Sequence, residues 1–388
     1  MRIRLPGGAY TLRDPVTWLE RGAGPTGARV VYAAAHVVAD PLGDNTPGAP
    51  AAVDWSATLR FRRHLWSYGL RVADAMDTAQ RNMGLDWAAT RELITRSAAE
   101  ARDYGDPAEL VACGAGTDHA PEADTVQAIT DAYAEQIDTV QATGAGVIIM
   151  ASRQLARTAT GPDDYHRVYG KLFGLADRPV ILHWLGEMFD PQLAGYWGSR
   201  DVEAATGSFL ELIHANAAMV DGVKVSLLDE DHEVRLRAAL PRGVRLYTGD
   251  DFNYPSLIKS GSHALLGIFD AIAPAAAAAL RALTAAESAP DEQFRTRNLA
   301  LYDEIFGPTV ALSRKIFETP TFHYKTGIVF LAWLNGHQEA FSMVNGAQSA
   351  RSITHLAEVF RLADQAGLLS DQELAVHRMT ALLAVNGL

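Results

Sequence analysis

Eight short apolar runs recur along this 388-residue chain, each separated from the next by a longer stretch of mixed polarity. They are Arg29 to Ala35, Gly69 to Met76, Glu109 to Cys113, Gly146 to Met150, Pro179 to Trp184, Gly222 to Leu227, Val244 to Thr248 and His263 to Phe269. Each has the length and near-continuous apolarity of a parallel strand buried on both faces. The intervening stretches read as helices. Asp54 to Tyr68 opens on an acidic cap and stops at Gly69. In Ala123 to Thr143, apolar residues at Val126, Ile129, Tyr133, Ile137 and Val140 make one helical face. Asp163 to Ala176 and Asp201 to Met219 read similarly. Alternation of this kind fits a (β/α)8 barrel, an α/β fold, here over residues 28–285. An open doubly wound sheet is the rival, but it normally carries a glycine-rich phosphate turn after its first strand. Here Ala35 is followed by His36-Val37-Val38-Ala39-Asp40, with no such turn.

Two flanking segments differ from the barrel in pattern. Residues 1–27 read as a hairpin-like arm, with Pro6-Gly7-Gly8 and the stretch Gly22 to Gly27 as breakers. The alanine-rich stretch Pro274 to Ala286 reads as a helix. Residues 286–388 show only helical patterns, at Phe294 to Phe306, Thr309 to Ile316, Ile328 to Leu334, Ile353 to Ala366 and Asp371 to Leu383, and form a helical extension.

Composition removes several classes of function. With 46 acidic against 34 basic side chains, a formal charge of −12 and a pI near 5.4, the chain is not built to hold nucleic acid or an anionic membrane by bulk charge. No apolar run reaches the roughly 18 residues that cross a bilayer, and the first residues lack the apolar stretch of a secretion signal. A single cysteine, Cys113, permits no internal disulfide and fits a reducing cytoplasm. Only five of the basic residues are lysines (Lys171, Lys224, Lys259, Lys315 and Lys325), so amine chemistry has few candidates.

In such barrels the C-terminal ends of the strands face the active site. That rule selects His36 after the first strand, Asp77 and Thr78 after the second, Arg153 after the fourth and His183 on the fifth. It adds Lys224 and Ser226 on the sixth, Asp250 and Asp251 after the seventh and Asp270 after the eighth. Lys224 is the most informative, because it interrupts the apolar run Val220 to Leu228. Burying an ammonium is costly, so such a lysine either pairs with a carboxylate such as Asp221 or Asp250 or loses its proton easily. In the second case it can attack a carbonyl and form a Schiff base. Arg153 could receive a carboxylate or phosphate by a bidentate contact. Asp250 and Asp251 could position substrate hydroxyls or pair with arginines, and His36 is a wall residue of the mouth.

Four motifs in order resemble the dihydrodipicolinate synthase / N-acetylneuraminate lyase superfamily of lysine-dependent aldolases. Val53-Asp54-Trp55 resembles the start of the family's first helix, and Gly222-Val223-Lys224 its G-[IV]-K. Arg245 to Asp251 (RLYTGDD) resembles its v-x-x-G-x-D strand, and Gly261 to Gly267 with Ala273-Pro274 its eighth-strand pattern. The resemblance implies a barrel with a helical extension, an imine on Lys224, no cofactor and a homodimer or homotetramer. It also reads Lys325 as structural. The chain departs from the family twice. Its G-T-T-G-E loop falls at Met76 to Gln80 (MDTAQ), where Thr78 keeps a hydroxyl but Asp77 would repel a substrate carboxylate. Its Y-N-x-P tyrosine falls at His183, whose imidazole can also carry protons near neutral pH. The pattern resembles a divergent branch acting on a small carbonyl compound, with sugar or sugar-acid breakdown as the expected setting.

The competing expectation is a metal-dependent sugar isomerase or hydrolase using ligands from His36, Asp77, His119, His183, Glu187, His214 and Asp250. Against it stands the absence of any recognisable ligand spacing, so no metal site is expected. A third reading is a non-catalytic barrel that binds a sugar-like ligand.

Overall fold

Each of the eight apolar runs becomes a strand. The computed structural model describes residues 1–19, 27 and 29–388, and two N-terminal strands come first, β1 (Arg2–Leu5) and β2 (Gly8–Thr11). Then follow β3 (Val31–Ala34), β4 (Arg71–Asp74), β5 (Val111–Ala115), β6 (Gly146–Ile149), β7 (Val180–Leu185), β8 (Val220–Ser226), β9 (Arg245–Thr248) and β10 (His263–Leu266). Strands β3 to β10 run parallel and close into a barrel in the order β10-β3-β4-β5-β6-β7-β8-β9, with helices between them. The fold is therefore a (β/α)8 barrel with a C-terminal helical extension.

β1 and β2 pair antiparallel from Arg2↔Thr11 to Leu5↔Gly8. Gly7, at φ +95°, supplies the left-handed turn between them. The breakers expected between Gly22 and Gly27 lie outside the described residues, apart from Gly27.

The chain gathers into two compact units. One comprises residues 1–70, 78–85 and 267–388, and the other residues 71–77 and 86–266. In the second unit, β7 alternates cleanly between faces. Trp184 packs on Phe209 and Trp197 at ring separations of 5.3 and 6.5 Å, which turns His183 to the opposite face.

Several local expectations are corrected. The third strand starts at Val111 rather than Glu109, because Pro107–Leu110 forms a helical turn capped by Asp106, whose carboxylate accepts from the Ala108 amide. The helix expected over Asp201 to Met219 runs Val202–Ala215, and a 3-10 turn Ala217–Met219 follows Asn216. The eighth strand stops at Leu266, and a helical turn Ile268–Ala271 follows. The two helices expected on either side of Pro308 are one, Glu292–Ile316. The buried face Tyr302, Phe306, Thr309, Leu312 and Ile316 continues through the proline and outweighs the one backbone bond it removes. Among the described residues no helix is long and apolar enough to cross a membrane.

Candidate active site

In the second unit the site grows from the register of β7, β8 and β9. β8 pairs on one side with β7, placing His183 opposite Lys224, and on the other with β9, placing Tyr247 opposite Lys224. The two-residue period of a strand puts Gly222, Lys224 and Ser226 on one face and Val223 and Val225 on the other. Lys224 and Ser226 are both buried, and His183 is fully so.

The electrostatics of this face follow from burial. Loss of solvent pushes the Lys224 amine below the ordinary lysine range, and the negative charges of Asp77 and Asp251 offset part of that shift. None of the described carboxylates forms an ion pair with it. His183 is held well below the usual histidine range, first by burial and then by the neighbouring Lys224 charge. Its Nε2 lies 3.3 Å from Ser226 Oγ, and its buried Nδ1 has no partner. A neutral imidazole and an easily deprotonated amine therefore share one rung of the barrel wall.

Gly249 provides the clearance this arrangement needs. Its amide donates to the Val225 carbonyl at 2.8 Å, which draws the loop after β9 against β8. A Cβ on Gly249 would stand 2.2 Å from Ser226 Oγ, 2.7 Å from the Val225 carbonyl and 3.0 Å from Lys224 Cε. The carbonyl is backbone and cannot give way. We expect Gly249→Ala to lower stability by about 1–3 kcal/mol and to displace the Lys224 stem. A melting temperature equal to that of the unaltered chain would contradict this.

The other expected residues divide by what their side chains already do. Asp77 is half-buried at the start of a 3-10 turn, and its charge acts on Lys224. Asp250 is occupied by its own loop, accepting from the amides of Phe252 and Asn253 at 2.8 and 2.9 Å and from Asn253 Nδ2 at 2.9 Å. Arg153 pairs with Asp190 at 2.6 Å through Nε. In the first unit, Thr78 Oγ1 lies 2.8 Å from the hydroxyl of Tyr324, which stacks on Phe317. His36 is turned to Asp270, whose Oδ2 lies 2.8 Å from both the backbone amide and Nδ1 of His36.

Ser226, selected by the strand-end rule without a stated role, lies on the Lys224 face, and its hydroxyl meets His183 Nε2. Tyr324 carries no local sequence signal, because its partner Thr78 lies 246 residues away. The ligand set of the metal hypothesis is scattered. His119 bonds Glu135 and Gln136, and His214 bonds the Ala239 carbonyl. Among the described residues no group of three or more His, Cys, Asp or Glu is placed to hold a metal.

The architecture around this site is shared with solved structures of one kind. Dihydrodipicolinate synthase from Aquifex aeolicus superposes with a TM-score of 0.64 at 12% identity, over 88% of this chain and 99% of that one. YagE, a prophage protein of the dihydrodipicolinic acid synthase family from Escherichia coli K12 in complex with pyruvate, gives 0.64 at 13% identity, over 88% and 99%. The Acinetobacter baumannii dihydrodipicolinate synthase complexed with pyruvate gives 0.62 at 14%, again over 88% and 99%. The fold is thus that of the dihydrodipicolinate synthase barrels. No curated protein matches in sequence. Residues 6–388 match the family described as "Protein of unknown function (DUF993)", and the chain belongs to that family.

Proposed function

We infer that the chain is a Schiff-base-forming lyase, an aldolase or dehydratase, acting on a hydroxylated keto compound of the sugar or sugar-acid type. One observation carries this reading: Lys224 is a buried amine with a lowered proton affinity and no ion-pair partner, set opposite a neutral histidine. Neutral Lys224 Nζ attacks the substrate carbonyl carbon, the oxygen leaves as water, and a protonated imine remains. For an aldol cleavage, His183 accepts the proton of the hydroxyl on the β-carbon. That carbon becomes a carbonyl as its bond to the α-carbon breaks, and the electron pair moves into the imine to give an enamine. Reprotonation at carbon and hydrolysis then release the second product and restore the amine. Asp77 and Asp251, whose charges reach Lys224, are suited to hydroxyl groups and unsuited to a carboxylate at the same point.

The established likeness to dihydrodipicolinate synthases is one of fold and does not assign the reaction. The relatives crystallised with pyruvate make a keto compound a reasonable first probe. Incubation with keto sugars and keto acids followed by borohydride reduction should fix the carbon skeleton to Lys224, read by peptide mass spectrometry. If no probe from either group labels Lys224, the proposal fails.

A further inference from the structure

The first unit contains a cavity of about 250 Å³ that does not include Lys224 among its lining residues. Its walls include the rings of Trp18, Phe61 and Tyr68, the imidazoles of His64 and His337, and Asp270. The helix Trp55–Ser67 presents Phe61 and His64 three residues apart on one face, with Tyr68 following His64 by one turn. The arm closes one side, anchored where the Trp18 indole N–H donates to the Gly367 carbonyl at 2.8 Å.

The two imidazoles pack among aromatic rings, His64 also lying 5.2 Å from Tyr68, but their nitrogens bond to none of the described residues. Their rings lie 4.3 Å apart and stand 5.5 and 5.1 Å from Phe61. Their backbone carbonyls accept from Ser67 Oγ and Arg60, whereas none of the described residues hydrogen-bonds to either ring. Beside them Asp270 is buried, with Oδ2 held by His36 and Oδ1 without a partner.

The chemistry of the walls narrows the occupant. Burial lowers the His64 pKa to about 4 even though Asp270 pulls it up, and burial together with His64, His36 and Arg60 keeps His337 well below the usual range. Near neutral pH each ring therefore offers one N–H donor and one lone pair. Asp270 is the charged group of this wall and disfavours anions. Aromatic rings on several sides favour a flat ligand over a puckered sugar. We propose that this cavity is a binding site for a small planar nitrogen heterocycle, neutral or cationic, stacked among the aromatic rings and hydrogen-bonded by His64 and His337.

Adenine is a suitable probe, with adenosine 5′-monophosphate and glucose as the anionic and puckered comparisons. In calorimetric titrations of the full chain, adenine should bind and the other two should not. His64→Phe and His337→Phe keep a ring in place and remove its nitrogens, and each should weaken adenine binding about tenfold. Because either variant could misfold, the unaltered chain labelled with ¹⁵N-histidine provides a second readout, in which adenine should move the ring signals of His64 and His337. Absence of binding, unmoved ring signals, or preference for glucose or the phosphate ester would overturn the proposal. So would adenine that blocks borohydride labelling at Lys224, since it would then occupy the other site. Lys224→Arg should leave adenine binding intact, which separates failure of this site from failure of the lyase reading.

Discussion

Replacing Lys224 with arginine should abolish conversion of any substrate that labels Lys224, by at least about a thousandfold, while the chain stays folded. The substitution keeps a positive charge and most of the stem, but a guanidinium holds its proton throughout the accessible pH range and cannot form the imine. Lys224→Met, which keeps the buried volume without the charge, should be equally inactive and no less stable, because it removes a desolvated amine with no ion pair. The unaltered chain offers a second check through pH. Burial lowers the proton affinity of Lys224, so its rate of borohydride labelling should rise with pH about a midpoint below the ordinary lysine value of about 10.4. Residual turnover in both variants, or a midpoint at or above the ordinary value, would show that the chemistry is done elsewhere.

The second large effect is expected at Glu233, on the helix Glu230–Ala239 of the same unit. Its carboxyl is buried among hydroxyls, with Ser262 Oγ 3.0 Å away and Thr248 also bonded to it, and Ser262 in turn accepts from Arg237 at 2.8 Å. Burial raises its pKa from 4.5 to about 8. The nearby Asp250 charge adds to the rise, and the hydroxyls and Arg237 offset part of it. The unfolded chain releases this proton at its ordinary pKa, whereas the folded chain keeps it until about pH 8. Stability therefore falls as pH rises across that window and levels off above it. Glu233→Gln retains the neutral hydrogen-bonding form and removes this dependence. At pH 9 it should be more stable by on the order of 5 kcal/mol, or about 6 °C in melting temperature, and near pH 4.5 by almost nothing. Equal melting temperatures for the two proteins at pH 9 would refute the buried acid.

The contrast between these residues explains what the sequence could disclose. Lys224 is conspicuous because it interrupts VDGVKVSLL, where a cation has no solvent to face. Glu233 lies in EDHEVR, among charges that do reach solvent, and nothing local marks it as the buried one. The barrel was readable because parallel strands covered on both faces leave an unbroken apolar record. The third strand was misplaced by two residues where Pro107 inserts a helical turn, a matter of local backbone chemistry that apolarity does not register. The role of Asp250 escaped for a related reason: a carboxylate at a strand end looks the same whether it awaits a ligand or caps its own turn. The cavity around His64 and His337 depends on residues more than 250 positions apart, and no spacing rule joins them.

The pairing of His183 with Lys224 on adjacent strands has a consequence for how this chain can change over time. Loops of a barrel can lengthen, shorten or be exchanged while the strands keep their places. A single residue gained or lost between Val220 and Lys224 reverses the parity of β8, placing Val223 or Val225 toward the site and turning the amine outward. Substitutions at the rim can retune which compound is accepted one side chain at a time. The inward-facing buried amine is inherited only by lineages that preserve the count along seven residues, so this strand should tolerate replacement far better than insertion or deletion.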